Sequence, residues 1–272
     1  MNSLSKQCVG RWEGSCLICR KTLSSTTASE RDMRSQRNNP LSIEVVNPIA
    51  VEIVTEEVLR SIRVGRLRDR GGGMESLVDK SRSLIEPRAV YAFTRVMSIE
   101  GDEVILESGH TLKSIVLGDV LTRGQEVAPY VVTIGSRLEE EASRLGVSNV
   151  FEAFVLEKVG DYAVSKASAQ LRRLVENRLG APVSGFGPGT GSGRLFGIEQ
   201  QRVLFSVLNP LKNIGVRLTP SFLMVPRKSV SGVFAATLNE YVACRYCPRE
   251  GCEGRRRPFA GEYVPIRCRN AD

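Results

Sequence analysis

Cysteine is the residue type in this sequence whose spacing most directly suggests chemistry. The chain has 272 residues and seven cysteines. Near its C-terminus stand Cys244, Cys247, Cys252 and Cys268. Thiolates at short spacings can converge on one ion, because a tight turn brings two sulfurs to the same metal. Four such ligands suit zinc or an iron–sulfur cluster, and thiols without a metal are the third alternative.

The surroundings of these cysteines favour the thiolate form. Arg245, Arg249 and the arginine run 255–257 stand close to them in sequence, and positive charge lowers the pKa of a thiol. A weaker candidate metal group near the N-terminus consists of Cys8, Cys16 and Cys19. An odd cysteine count without a secretory signal argues against a disulfide framework, so we expect a reducing, cytoplasmic location.

A second candidate for chemistry is a loop at residues 185–193, in which every second residue is glycine. No register of this loop satisfies the G-x-G-x-x-G dinucleotide fingerprint, and no lysine follows it as a P-loop requires. Because glycine lacks a Cβ, a ligand could approach this backbone closely, and Pro188-Gly189 is a good centre for a type II turn. A flexible connection to the next helix is the alternative interpretation.

The net charge of +8 belongs to the two ends of the chain. Residues 1–40 carry +4, residues 241–272 carry +3, and residues 41–240 carry only +1. A uniformly basic nucleic-acid-binding face is therefore not supported. The composition, with 42% hydrophobic and 25% charged residues, is that of a globular protein. No apolar run approaches the roughly 20 residues of a membrane span.

Predicted helices and predicted strands both position these residues. We divide the chain into a basic leader at 1–42 that is predicted to be disordered, a domain at 43–240, and a cysteine- and arginine-rich tail at 241–272. Within the domain, predicted helices are grouped centrally and predicted hairpins lie on either side, without a repeated βαβ rhythm. This arrangement favours an α+β fold over a doubly wound parallel sheet.

Local patterns predict the individual elements. Helices are expected at 55–59 with Thr55 as its N-cap, at 77–84, 136–145, 150–156, at 162–179 with Asp161 as its N-cap, and at 200–209. Strands are expected at 89–96, 103–106, 128–134, 216–218, 222–225 and 229–236. Residues 112–121 fit either a strand or a helix. His110 falls in a predicted turn. Because it is the only histidine in the sequence, histidine-based zinc catalysis is excluded.

Several motifs occur here in a specific order: Pro188-Gly189, a helix with Leu204-Phe205, the stretch 214–226, and Ser229-Val230-Ser231-Gly232. Together they resemble the activation (reactivation) domain of vitamin B12-dependent methionine synthase. That family carries an R-x-x-P-G-Y turn, an L-F-x-L-L helix and an L-T-x-S-x-x-M-x-P-x-x-S-V-S-G stretch. The resemblance covers roughly residues 50–236 and is most specific in its last motif. Upstream segments that resemble free-standing members are 57–60, 87–91 and 132–135.

The resemblance implies a C-shaped α+β fold with a twisted antiparallel sheet and flanking helices. It also implies an accessory protein that acts with a cobalamin-dependent methyltransferase and supports reductive remethylation of the corrinoid. The partner would hold the cobalamin, S-adenosylmethionine would supply the methyl group, and an electron-transfer protein would be a further partner. The alternatives are a non-catalytic subunit of a split methionine synthase or related corrinoid methyltransferase, or a redox protein that uses the cysteine tail.

The sequence departs from the family pattern where contacts to S-adenosylmethionine are implied. The arginine of R-x-x-P-G-Y falls on Gly185, its tyrosine on Thr190, and the tyrosine after S-V-S-G-x on Phe234. The helix face that is implied to carry an acidic residue has Ser165 or Ala169 instead. The resemblance implies cofactor-binding roles for Pro188, Gly189, Arg194, Ser229, Ser231 and Gly232.

Overall fold

A computed structural model describes residues 41–62, 73–252 and 254–265. The helices are α1 (Thr55–Ser61), α2 (Gly73–Ser81), α3 (Ile115–Val120), α4 (Arg137–Leu145), α5 (Val150–Leu179), α6 (Gln201–Leu208) and α7 (Pro210–Ile214). Short 3-10 helices occupy Arg82–Leu84, Ile198–Gln200 and Ala243–Tyr246. The strands are β1 (Ile43–Val46), β2 (Arg88–Ala92), β3 (Thr94–Glu100), β4 (Glu103–Leu106), β5 (Thr111–Lys113), β6 (Glu126–Thr133), β7 (Val183–Phe186), β8 (Arg217–Leu218), β9 (Met224–Val225) and β10 (Ser229–Ala236).

Antiparallel pairing joins eight of these strands into one sheet. The order is β1-β2-β6-β3-β4-β5, with β10 paired to β6 and β7 paired to β10. Strand β10 runs beside β6 from Ser229, opposite Thr133, to Ala235, opposite Val127. Side chains of α5 pack on one face of β6 and those of α6 and α7 on the other. Because both faces are covered, β6 is apolar almost throughout instead of alternating.

The long helix α5 corrects the prediction of two helices separated at Asp161. It begins after Asn149, whose side chain accepts a hydrogen bond from the Glu152 N–H (3.2 Å), and it ends at Gly180 with φ 66°. Asp161 lies in its interior and pairs with Lys228 Nζ (2.6 Å) instead of capping a helix. Gly160 belongs to the same contact, because a Cβ there would lie 3.0 Å from Lys228 Cε.

Other differences from the predicted elements have local causes. The strand predicted at 89–96 is interrupted at Phe93, and residues 112–121 contain both the end of β5 and helix α3. Helix α3 begins after Ser114, whose Oγ accepts from the Leu117 N–H (3.2 Å). At the start of α1 the N-cap is Val54, so the prediction that Thr55 caps this helix is wrong. The remaining predicted elements are confirmed, with ends shifted by a few residues.

One helix and two strands are absent from the sequence prediction: α7, β1 and β7. Residues 183–186 form β7, because pairing with β10 and full burial of Phe186 outweigh the low strand propensity of Gly185. Pro210 does not only end a helix but begins the next one, α7. Proline is well tolerated at this first position, since its missing N–H would have no partner inside the helix.

Part of the predicted cysteine-rich tail packs on the domain. Tyr241, Tyr246 and Tyr263 lie against the cluster of buried side chains that includes Phe186. The boundary at residue 240 stays a prediction. Residues 1–40 of the predicted leader, with their three cysteines, and Cys268 lie outside the described residues. Of the helices that the structure describes, none combines the length and apolar character needed to cross a membrane.

Candidate ligand-binding cleft

An open cleft lies between α5, strand β10 and the residues that follow β10. Its volume is about 670 Å³, within the range that small-molecule sites occupy. Tyr130 of β6 and Phe234 of β10 stack in it, with ring centroids 4.0 Å apart and planes 9° from parallel. Gly185 of β7 lines the cleft next to them, and a Cβ at Gly185 would lie 3.3 Å from the Phe234 ring.

The Pro188-Gly189 pair forms the turn that the sequence predicts. The Thr190 N–H donates to Gly187 O (3.2 Å), and Gly189 has φ 77°. A positive φ at the third of four residues is the requirement of a type II turn. The Gly189 N–H donates to Phe196 O (2.8 Å), which fixes the turn to the domain. Pro188 lines the cleft, whereas Gly189 is outside its lining and faces Ile198.

The Ser229–Gly232 motif forms the first half of β10, and its residues differ in accessibility. Ser229 and Ser231 line the cleft. The Ser229 hydroxyl lies 2.7 Å from Pro226 O and 2.9 Å from Thr133 Oγ1, so its hydrogen bonds are internal. Gly232 is outside the lining, and a Cβ there would lie 2.5 Å from Phe186 O.

The structure therefore brings three predicted residues together at the cleft: Pro188, Ser229 and Ser231. The exposed Arg194 is outside the lining, as are the two glycines. Ser165 and Ala169, on the α5 face singled out from the sequence, do line the cleft. Cofactor-binding roles for all of these residues stay predictions.

One wall of the cleft comes from residues 240–265, the C-terminal segment. Its residues 240–243, 254, 256 and 257 line the cleft. An aromatic row anchors the segment: Tyr241 stacks on Phe186 (4.7 Å) and on Tyr246 (5.9 Å), and Tyr246 meets the edge of Tyr263 (4.9 Å). At the end of the row, Tyr263 Oη donates to Asp119 Oδ2 of α3 (2.6 Å).

Charge in the cleft is unevenly distributed. The described lining residues include the arginines 172, 256 and 257 and one acidic residue, Glu240. Glu240 pairs with Arg257 at 3.8 Å, and both side chains are more than half exposed, so this pair is weak. Burial raises the pKa of Tyr130 to about 12, while a hydrogen bond to Ser168 and the nearby Arg256 charge act in the opposite direction.

Gln201, at the start of α6, is the polar lining residue with the least satisfied side chain. It is 5% exposed, and its Oε1 atom is buried without a hydrogen-bond partner among the described residues. A buried acceptor left unpaired costs about 1–3 kcal/mol. A ligand N–H or O–H in the cleft would offset this cost.

Three of the four predicted metal ligands lie in the C-terminal segment that lines the cleft. Cys244, Cys247 and Cys252 are partly buried free thiols, and no three potential ligands among the described residues lie close enough to hold a metal. A hydrogen bond from the Arg256 backbone N–H lowers the pKa of Cys244 despite its burial. Since Cys268 lies outside the described residues, a metal at these four cysteines stays a prediction that metal analysis of anaerobically purified protein would test.

An ion-pair network holds the two residues before β10, Arg227 and Lys228, in place. Lys228 Nζ lies 2.8 Å from Glu157 Oε2 and 2.6 Å from Asp161 Oδ1, both on α5. Arg227 Nη2 lies 2.7 Å from Oε1, the other carboxylate oxygen of Glu157. Burial alone would raise the pKa of Glu157, but the hydrogen bonds and charges of Lys228 and Arg227 outweigh it and lower the pKa.

We expect Glu157→Gln to lower the free energy of unfolding by about 1–2 kcal/mol at neutral pH. Because the folded-state pKa of Glu157 is below its ordinary value of 4.5, its contribution is fully present above that value and is lost as pH falls through the folded-state pKa. Urea unfolding at neutral pH and at about pH 3 should show the difference between wild type and variant closing. The control Glu140→Gln, an exposed carboxylate on α4, should differ little at either pH; a gap that persists in acid would contradict the assignment.

Several residues of the cleft carry no local sequence signal for a ligand: Tyr130, Arg172, Gln201, Arg256 and Arg257. Arg172 is spaced one or two turns along α5 from Ser165 and Ala169, so the helical period of that face could have indicated it. Gln201 and the two C-terminal arginines reach the cleft only through tertiary packing.

Together, the mixed sheet-and-helix architecture and the lined cleft define an α+β domain with an open cleft on one side of its sheet. Residues 176–254 match the family model described as "Vitamin B12 dependent methionine synthase, activation domain". This match spans the turn, helix and β10 motifs, and it confirms the resemblance seen in the sequence.

A solved structure is similar over a larger part of the chain. The crystal structure of the MetH reactivation domain bound to AdoHcy aligns with a TM-score of 0.59 at 15% sequence identity. The alignment covers 74% of this chain and 81% of that one. The fold class implied by the resemblance is thereby confirmed. No curated protein matches the chain significantly.

Proposed function

We propose that this protein is an activation-domain-like accessory protein that docks on the cobalamin-binding part of a cobalamin-dependent methyltransferase of the methionine synthase type. In that complex it supports reductive remethylation of the corrinoid. The observation that carries the proposal is that the family motifs at Pro188-Gly189 and Ser229–Gly232 converge beside one cleft. The Pro188–Arg194 loop forms the docking face, because its residues from Gly189 to Arg194 are partly or fully exposed and its glycines allow close approach of a partner. Ser229 and Ser231 of β10 line the adjoining cleft.

S-adenosylmethionine fits the cleft in size but not in charge. Its sulfonium is cationic, whereas the described lining residues contain three arginines and one glutamate, and that glutamate already faces Arg257. At Gly185 and Thr190, the chain lacks the arginine and tyrosine of the family pattern.

The same charge pattern favours a second candidate function. The protein would then be a non-catalytic subunit of a split methionine synthase or related corrinoid methyltransferase, with the docking face kept and delivery of S-adenosylmethionine lost. The cationic sulfonium of S-adenosylmethionine would face the arginines of the cleft, and this repulsion opposes binding.

A reactivation assay distinguishes the two. A cobalamin-dependent methionine synthase without its own activation domain would be inactivated to cob(II)alamin and incubated with reductant, with or without this protein and S-adenosylmethionine. We expect the protein to restore turnover. Restoration that requires S-adenosylmethionine supports the accessory function, and restoration without it supports the subunit function.

The matched variants for this assay change exposed arginines. Arg194→Glu reverses a charge on the docking loop and should reduce restoration several-fold, whereas Arg173→Glu on α5 lies outside the cleft and should not. Failure of the wild-type protein to restore turnover under either condition would contradict both candidate functions.

A further inference from the structure

We propose that the C-terminal segment turns the cleft into a site for an anionic small molecule, whose carboxylate or phosphate pairs with Arg256 and Arg257 and whose hydrogen-bond donor reaches Gln201. The inference deepens the proposed function, on which it rests for the assignment of this cleft as the ligand-binding face. It assigns ligand contacts to a segment that follows the last strand of the sheet.

The first observation is the state of the arginines. Arg256 lines the cleft, and its side chain hydrogen-bonds the Cys244 thiol. No carboxylate among the described residues lies within ion-pair distance of it, so part of its five-donor guanidinium stays available. Arg257 has one long, exposed pair with Glu240. On the α5 side, Arg172 Nε holds Glu176 Oε1 (2.9 Å), which leaves the four N–H donors of its two terminal nitrogens for other partners. Guanidinium groups with spare donors match the oxygens of a carboxylate or phosphate.

The second observation is that the segment is held in place independently of any ligand. The aromatic row fixes it from the core side, and the Tyr241 N–H donates to Ser184 Oγ (2.9 Å). The Arg255 guanidinium donates to Cys244 O (3.0 Å) and Cys247 O (3.1 Å), which closes the turn that presents the next two arginines. A wall built in this way is preorganised, so little ordering cost accompanies binding.

The third observation is the unpaired acceptor of Gln201. The side chain is nine-tenths buried or more, it lines the cleft, and its Oε1 has no partner among the described residues. The stacked rings of Tyr130 and Phe234 line the same cleft, as does Gly185, which adds no side chain. The cleft thus offers positive charge, aromatic surface and an acceptor, and it favours a ligand that carries an anionic group, an apolar part and a hydrogen-bond donor.

The ligand class follows from size and charge. A volume of about 670 Å³ accommodates a molecule of nucleoside size. The anionic group could be an amino-acid carboxylate or a nucleotide phosphate, since guanidinium binds both. Three adenosine compounds separate these cases: S-adenosylhomocysteine carries the carboxylate, adenosine 5′-monophosphate carries the phosphate, and 5′-methylthioadenosine carries neither.

Titration calorimetry of the full chain with each compound tests the proposal. We expect one of the two compounds that carry a carboxylate or a phosphate to bind at least about tenfold more tightly than 5′-methylthioadenosine. The Arg256→Gln/Arg257→Gln double variant should lose that advantage, and Gln201→Leu should weaken the same ligand several-fold. Arg245→Gln, an exposed arginine of the same segment outside the lining, should bind like wild type.

The proposal is overturned by equal affinity for all three compounds, by no binding of any of them, or by unchanged affinity in the double variant. An equal loss of affinity in Arg245→Gln would also overturn the proposal, because the loss would then reflect the lower net charge of the protein and not a contact in the cleft. All variants are checked for wild-type unfolding transitions, and the salt dependence of binding should flatten only in the double variant. Docking on a cobalamin-binding domain is measured in a separate experiment. A failure of ligand binding can therefore be told apart from a failure of docking.

Discussion

Replacing Gly232 by alanine is expected to lower the free energy of unfolding by about 2–3 kcal/mol. The residue lies in the middle of β10, and a Cβ would stand 2.5 Å from Phe186 O and 3.0 Å from Tyr130 Oη. The first contact is with backbone, which cannot move aside without disturbing the pairing of β10 with β7. Gly232, implied by the family motif as a cofactor contact, therefore has a packing requirement of its own.

The control for this substitution is Gly193→Ala in the glycine loop. Nothing lies within 4 Å of a Cβ at Gly193, and its φ is not positive, so its stability should stay within about 0.5 kcal/mol of wild type. Denaturant unfolding of the two variants measures the difference. Equal stabilities would show that β10 and β7 do not approach each other as described.

Phe186→Ala should have a still larger effect, about 3–5 kcal/mol. Phe186 is fully buried in the core beneath β7, and it is the first ring of the aromatic row that anchors the C-terminal segment. Losing it removes core contacts and the stacking partner of Tyr241. We therefore expect two changes, a lower free energy of unfolding and faster tryptic cleavage after Arg245 and Arg249 under native conditions.

The matched control for the second change is Phe196→Ala. Phe196 is 2% exposed in the same cluster but is not a member of the aromatic row. It should destabilise the domain to a similar degree without the same gain in cleavage of the C-terminal segment. If both variants are cleaved equally fast after correction for global unfolding, the aromatic row does not anchor the segment.

Local chemistry made part of the cleft predictable from the sequence. Pro188-Gly189 forms its turn because proline fixes one φ and glycine permits the positive φ that follows. Strand β10 is predicted at its observed position, and it carries the most specific family motif. These features depend on a few adjacent residues, which a sequence displays directly.

Other features depend on contacts between distant residues. Gly160-Asp161 looks like a helix break, yet α5 continues because Lys228 packs on the glycine and pairs with the aspartate. The arginines at 256 and 257 look like part of a solvated basic tail until Tyr241 is seen to stack on Phe186. Gln201 resembles any polar residue in the first turn of a helix, and only burial reveals its unpaired oxygen.

The central claim is that this protein docks on a cobalamin-binding domain, and sedimentation velocity followed at the visible absorbance of cobalamin tests it most directly. Only the cobalamin-loaded domain absorbs there, so any increase in its sedimentation rate reports complex formation. We predict that the cobalamin boundary moves faster when this protein is added, and that Arg194→Glu weakens the shift while Arg173→Glu does not. A cobalamin boundary that stays unchanged at about 100 µM of the protein, where even weak specific complexes form, would contradict the proposed function.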